Sequence, residues 1–220
     1  MRRDAPIPQL ARGETAVCIG TGPSLTLEQI DAARQKGFVL FGCNRVFEIV
    51  PDLAVLYGVN YAFWEHYYPY CRDHPAQRWT TNARAACHFE GINYIGEVNE
   101  KGLSSDPGYV HHGHGSGYTQ VNLAYLMGAE RIALLGYDLK YAPDYDGRAR
   151  EVGSTPRHYF GEYPTASMQH WPSVQVKGGV HVELLDFYQS IKEQGLVELV
   201  NCTPGSALEP IFGYTDIGAW

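Results

Sequence analysis

The sequence predicts an α/β fold, a mostly parallel sheet with helices on both faces and a long lid-like loop. Three observations carry this reading. Short apolar, β-branched runs alternate with segments of helical periodicity, the order in which crossover helices connect parallel strands. Several runs end on small or polar residues: Gly20-Thr21-Gly22, Cys43-Asn44, Gly58-Val59-Asn60 and Gly136-Tyr137-Asp138. Strands end this way at the ligand edge of an open sheet. Finally, 220 residues suffice for one sizeable core but not for two.

The elements follow in order. Residues 1–14 are polar and Pro-rich and read as a flexible N-terminal arm. Thr15 to Ile19 is a buried strand. Thr26 to Lys36 is a helix, with Thr26 as N-cap, Gln29 completing a capping box and Gly37 as its end. Phe38 to Gly42 and Leu53 to Tyr57 are the next buried strands. Tyr61 to Tyr70 is aromatic-rich and helical as far as Pro69. Arg78 to Thr81 and Ile92 to Ile95 are candidate strands, and Lys101 to Gly115 is a loop. Ser116 to Met127 is a helix closed by Gly128, Arg131 to Leu135 a strand, Val180 to Gln194 an amphipathic helix, and Leu196 to Val200 a final strand. One domain therefore spans 15–210, with a C-terminal tail, 211–220, expected to dock on it. Residues 141–178 are too many for a mere connection and suggest a functional lid.

Composition removes several function classes. The formal net charge is −7, against a protein held on nucleic acid by bulk charge. An anionic ligand in a local pocket remains compatible with it. Aromatic residues are 13% and charged residues only 19%, the opposite of a disordered chain. Five cysteines without a CxxC pair support neither a disulfide framework nor a zinc ribbon. No window approaches the roughly 18 continuous apolar residues of a membrane helix. No secretory leader pattern follows Met1, so a soluble, cytoplasmic protein is expected.

Four local patterns carry chemistry. Gly20-Thr21-Gly22-Pro23-Ser24 lies between a strand and a helix. Glycine lets backbone approach a ligand there, and the helix start offers N–H groups and a favourable dipole to an anion. It is neither GxGxxG nor a P-loop, which disfavours an ordinary dinucleotide or Walker site. Gly113-His114-Gly115-Ser116-Gly117 repeats the arrangement before a second helix; the spacing of His111, His112 and His114 suits no standard zinc geometry. His158, among aromatics in the long loop, has the chemistry of a general base, or of a stacked surface histidine. Asn201-Cys202-Thr203-Pro204-Gly205-Ser206 either contacts a base or ribose or simply turns the chain.

Taken in order, the glycine turn, CN, YGVN, GSG, LLGYDL, HYFG and NCTPGS resemble the glycosyltransferase family 42 sialyltransferases. They also resemble the motility-associated-factor and 6-hydroxymethylpterin diphosphokinase-like proteins, and the match covers about residues 15–210. The resemblance implies a Rossmann-like domain that binds a CMP-sugar at its strand ends and requires no metal. It implies nucleotide contacts from Gly20, Thr21, Gly22, Ser24, Asn44, Asn60, Ser116, Gly117, Gly136, Tyr137 and Asp138. It implies His158 as general base for the acceptor hydroxyl, with Tyr141 and Tyr145 steadying the leaving phosphate.

The expected function is thus a glycosyltransferase-like transferase with a nucleotide-activated sugar donor. The acceptor is left open among glycan, protein, modified DNA base and metabolite, as is a homo-oligomer. One alternative is diphosphoryl transfer from ATP or GTP to a small alcohol, with Mg²⁺ at Asp138. Another is a non-catalytic nucleotide-binding module.

Overall fold

A computed structural model describes residues 7–113, 115–140, 159–161, 176–177 and 180–220. The first half of the chain forms β1 (Thr15–Ile19), α1 (Leu27–Gln35), β2 (Val39–Cys43), a 3-10 turn (Asn44–Glu48), β3 (Val55–Tyr57), α2 (Tyr61–Cys71), β4 (Gln77–Thr80), α3 (Ala83–His88) and β5 (Ile92–Tyr94). The second half adds β6 (Gly96–Val98), β7 (Tyr109–His111), α4 (Ser116–Leu126), β8 (Arg131–Leu135), β9 (Val176–Lys177), β10 (Val180–His181), α5 (Val182–Gln194), β11 (Glu198–Asn201) and α6 (Glu209–Phe212).

Seven strands make one sheet in the order β11-β8-β1-β2-β3-β4-β5. Every neighbouring pair in it is parallel. This is the α/β, Rossmann-like architecture that the strand–helix alternation predicts. All of β1 is buried, which explains its unbroken apolar reading: helices cover both faces of a parallel sheet. Ala16 and Cys18 join the core under Tyr118, Val121, Phe187 and Tyr188 of α4 and α5. Val17 and Ile19 join the opposite core, with Ile30 of α1 and Trp64 of α2. The strand period of two thus divides a single five-residue run between two hydrophobic layers.

Strand β1 pairs with β2, to which the chain runs next, on one side, and with β8, which the chain reaches only after β2 to β7 and α4, on the other. Ile19 pairs with both Gly42 and Leu135, so the turns after β1, β2 and β8 leave the sheet at one level. A crevice opens where strand order reverses in this way.

Some elements differ from expectation. Residues 7–14 are no loose arm. Ile7 and Ala11 are buried, and the Ala11 N–H donates to the Met127 carbonyl at 3.0 Å. Two apolar side chains buried in the core that includes Val121, Leu123 and Ala124 of α4 outweigh the polar composition around them. Helix α2 continues past Pro69 to Cys71. Proline there removes one bond of the last turn, while Phe63, Trp64, Tyr67 and Cys71 hold the helix on the core. The 101–115 loop contains β7, which pairs with β6 in a separate two-stranded sheet. Three-residue strands and the six-residue α3 are too short to show a period. The tail docks as expected: Trp220 packs edge-on against Phe38 with centroids 5.8 Å apart, and the Arg131 guanidinium lies 4.2 Å from its ring centroid. No helix among the described residues is long and apolar enough to cross a membrane.

Leu134 is fully buried at the centre of the β1–β8 pairing, beside Cys18. Leu134→Ala should cost about 2–5 kcal/mol of folding stability, the usual range for such a cavity. Urea denaturation measures it directly, and a loss within ~0.5 kcal/mol would show that this pairing does not anchor the fold.

Candidate functional site

The crevice at the β1/β8 switch point brings together the glycine turn after β1 and the Gly136-Tyr137-Asp138 turn after β8. The Gly20 N–H donates to the Leu135 carbonyl at 2.8 Å, and the Gly22 N–H to the Gly136 carbonyl at 2.9 Å. The strand pairing therefore continues as backbone contact beyond the end of the sheet. A Cβ on Gly20 would lie 2.6 Å from the Gly136 oxygen, and one on Gly22 would overlap the Asp138 carboxylate. Both glycines are required by close approach.

Asp138 is 8% exposed and accepts a hydrogen bond from the Ser24 hydroxyl at 2.9 Å. Burial pushes its pKa up, and the Ser24 hydroxyl and backbone N–H oppose that push. Asp138 thus fastens the glycine turn to β8. The next residue, Leu139, has φ 50°, a left-handed conformation unfavourable for a leucine. Bonds on either side hold it there: the Ala207 N–H to the Asp138 carbonyl at 3.0 Å, and the His181 N–H to the Leu139 carbonyl at 3.1 Å.

The NCTPGS segment is the clamp beneath this turn. Thr203 Oγ1 accepts from the Tyr137 N–H at 3.0 Å and donates to the Leu134 carbonyl at 3.1 Å. Ser206 Oγ donates to the Tyr137 carbonyl at 2.6 Å and accepts from the Leu208 N–H at 3.0 Å. Asn201 accepts from the Thr203 N–H at 3.1 Å. Of the two readings of this motif, base contact or chain turn, the geometry makes it a turn that orders β8's end.

Tyr137, expected among the nucleotide contacts, is buried, and its hydroxyl donates to the Gly117 carbonyl at 3.0 Å. It ties β8's end to the start of α4, so Gly117 is tight against its ring. Gln120, further along α4, donates to the Phe41 carbonyl of β2 at 2.9 Å and fixes the helix over the sheet.

The two helix starts are not equivalent. At α1 the capping box forms as predicted: Thr26 Oγ1 accepts from the Gln29 N–H, and Gln29 Oε1 accepts from the Thr26 N–H. Glu28 adds a negative charge to that first turn. The anion-binding potential expected at α1 is therefore already used by its own side chains. The first turn of α4 has no side-chain cap and no acidic residue. Ser116 and Gly117 open the helix better placed to receive an anion.

Asn44 and Asn60 stand at the ends of β2 and β3 on the same edge. Asn44 has φ 52°, which asparagine tolerates, and opens the 3-10 turn; Asn60 is exposed and makes no side-chain cap to α2. Tyr141, Tyr145, His158 and His114 lie outside the described residues. Tyr159, directly after His158 in the sequence, donates its N–H to the Thr21 carbonyl at 2.8 Å, which brings Tyr159–Gly161 onto the glycine turn. Arg45 meets the same segment, and composition or motif reading did not single it out. Its only signal was an arginine next to Asn44 with Glu48 three residues on. Among the described residues no three His, Cys, Asp or Glu side chains gather as a metal set. All five cysteines are free.

Gly22→Ala should lower stability by about 1–3 kcal/mol, the cost of overpacking a tight contact. A melting temperature equal to the parent's would contradict the close approach. Asp138 binds its proton more tightly folded than unfolded, because its pKa is raised. Its contribution is therefore favourable below the usual carboxylate pKa near 3.9 and is lost as pH rises through the raised value. Asp138→Asn should accordingly gain stability relative to the parent between pH 3.5 and pH 7. A pH-independent difference in denaturation free energy would contradict that sign.

No family model matches the sequence, and no curated protein matches it at a significant level. Solved structures do match. The sialyltransferase CstII from Campylobacter jejuni, in complex with cytidine-5′-monophosphate, aligns with TM-score 0.59 at 14% identity, covering 95% of this chain and 88% of that one. CstII with a trisaccharide acceptor and CMP aligns with TM-score 0.56 at 15% identity, covering 94% and 88%. The MAf glycosyltransferase from Magnetospirillum magneticum AMB-1 aligns with TM-score 0.59 at 17% identity over 100% of this chain, but over only 37% of that larger protein. At these identities the likeness is one of fold: the chain has the Rossmann-like architecture of the sialyltransferase and MAf structures that its ordered motifs resemble.

Proposed function

We propose that the chain is a glycosyltransferase-like transferase that takes a sugar from a nucleotide-activated donor of the CMP-sugar type. The observation that carries this reading is the meeting of two glycine-bearing turns at the β1/β8 switch point, beside the uncapped start of α4. The solved structures of the same fold that bind CMP support the class of donor. The nucleotide would lie across Gly20, Thr21, Gly22, Ser24, Asn44 and Asn60, with its phosphate toward Ser116 and Gly117. A net charge of −7 does not oppose this, because backbone N–H groups and a helix dipole hold the anion. Asp138, already accepting from Ser24, would keep the phosphate off the glycine turn and toward α4.

In the reaction His158 removes the proton of an acceptor hydroxyl. The oxygen attacks the anomeric carbon, the bond from that carbon to the phosphate oxygen breaks, and CMP departs with the electron pair. Tyr141 and Tyr145 donate hydrogen bonds to the departing phosphate, the electrostatic part of catalysis. These three roles rest on the motif resemblance. A glycan is the favoured acceptor class, since a related fold holds a trisaccharide. The diphosphotransferase alternative would need Mg²⁺ at Asp138. Among the described residues Asp138 belongs to no group of three His, Cys, Asp or Glu side chains that could hold a metal, and no step is routed through one.

His158→Ala should retain CMP binding by calorimetry and lose turnover of a CMP-sugar by about 10²–10⁴-fold, the usual worth of general acid–base catalysis. Parent turnover should survive EDTA. Turnover unchanged in His158→Ala removes the base, and turnover abolished by EDTA favours the diphosphotransferase.

A further inference from the structure

Arg45 holds three elements together. Its Nε and Nη2 pair with the two carboxylate oxygens of Glu48 at 2.6 and 2.9 Å, across one turn of the 3-10 segment. This bidentate pairing fixes the plane of the guanidinium. The remaining arm, Nη1, donates to the Phe160 carbonyl at 2.9 Å. The guanidinium also stands 5.0 Å from the centroid of the Phe160 ring and 5.6 Å from that of Tyr67 on α2. The Arg45 side chain is 19% exposed and that of Glu48 31%, so solvent screens the contact only partly.

Phe160 belongs to the short described segment Tyr159–Gly161. Tyr159 and Phe160 meet edge-on with centroids 5.1 Å apart and pack on the core shared with Val17 and Ile19. The Tyr159 N–H donates to the Thr21 carbonyl of the glycine turn. The segment is thus fixed at two backbone points, Thr21 at one residue and Arg45 at the next. His158 is the residue before Tyr159 in the sequence.

We propose that Arg45, oriented by Glu48, is a positioning residue: it anchors Tyr159–Gly161, the residues that follow His158 in the sequence, against the glycine turn, and turnover depends on that anchor. The proposal rests on the reading of His158 as acceptor base. It assigns Arg45 no contact with the substrate, so its loss should act on turnover and leave nucleotide affinity alone. Lysine cannot replace it, because it has neither the fork for Glu48 nor a planar face for Phe160.

The test uses Arg45→Met, which keeps the apolar stem, with Arg45→Lys and Glu48→Gln. The first readout is limited trypsin cleavage after Arg157. The protease must engage residues 158–160, so the anchor should protect that bond. The second is the pair of CMP dissociation constant and kcat with a CMP-sugar donor. Arg45→Met should speed cleavage after Arg157 by about tenfold or more. It should lower kcat by about 10–100-fold, the scale of a misplacement near 1 Å, with CMP affinity within about twofold. Arg45→Lys and Glu48→Gln should fall between it and the parent. Equal cleavage rates in parent and Arg45→Met overturn the anchor. Faster cleavage with unchanged kcat overturns the positioning role, and a weakened CMP affinity equal to the loss in kcat/KM overturns the assignment of Arg45 to turnover alone. A parent that neither binds CMP nor turns over a donor overturns the proposed function instead; the cleavage comparison still decides the anchor by itself.

Discussion

The structure depends on backbone meeting backbone where β1 and β8 leave the sheet. The Gly22 N–H reaches the Gly136 carbonyl at 2.9 Å, and neither Gly20 nor Gly22 has room for a Cβ. Parallel pairing from Thr15 to Ile19 with Arg131 to Leu135 brings the two turns to that distance. Asp138 and Ser24 lock them, and Thr203 and Ser206 hold the second turn from below. Tyr137 then carries the arrangement to α4 through the Gly117 carbonyl. Each contact is a modest hydrogen bond, yet all of them are partly or fully buried, where leaving one partner unmatched costs more than the bond itself contributes.

A buried carboxylate at the mouth of the crevice gives the site polarity. An ionised Asp138 would disfavour a phosphate on the glycine turn, and the capping box with Glu28 would disfavour one at α1. The start of α4 lacks both kinds of competitor. In the proposed complex this contrast would set an anionic donor across the crevice, nucleoside toward β1 and β2 and phosphate toward α4. A chain with net charge −7 can use this device because the attraction comes from local dipoles rather than from summed charge.

Much of this was legible in the sequence, for physical reasons that differ by residue. Buried parallel strands such as TAVCI and RIALL read clearly because both faces are covered and nothing interrupts the apolar run. Thr26 and Gln29 announced their capping box because the motif is local. The glycine turn and GYD stood out as strand ends. Long-range pairings did not announce themselves. That Tyr137 donates to Gly117, that Thr203 serves Tyr137 rather than a ligand, and that Arg45 reaches Phe160 are contacts between residues 20, 66 and 115 positions apart. Ile7 and Ala11 were hidden for the same reason, since the core they join is built from residues far along the chain, those of α4 among them. The short β6 and β7 fall below the length at which alternation can be seen.

The central claim is that a cytidine nucleotide occupies the crevice between the Gly20–Gly22 turn and the start of α4. The most direct measurement is a crystal structure of the chain soaked with CMP at saturating concentration. Density for the nucleoside beside Gly20, Thr21 and Asn44, with the phosphate at Ser116 and Gly117, is the result expected. Density elsewhere on the molecule, or an empty crevice in crystals that leave it open to solvent, would contradict the account.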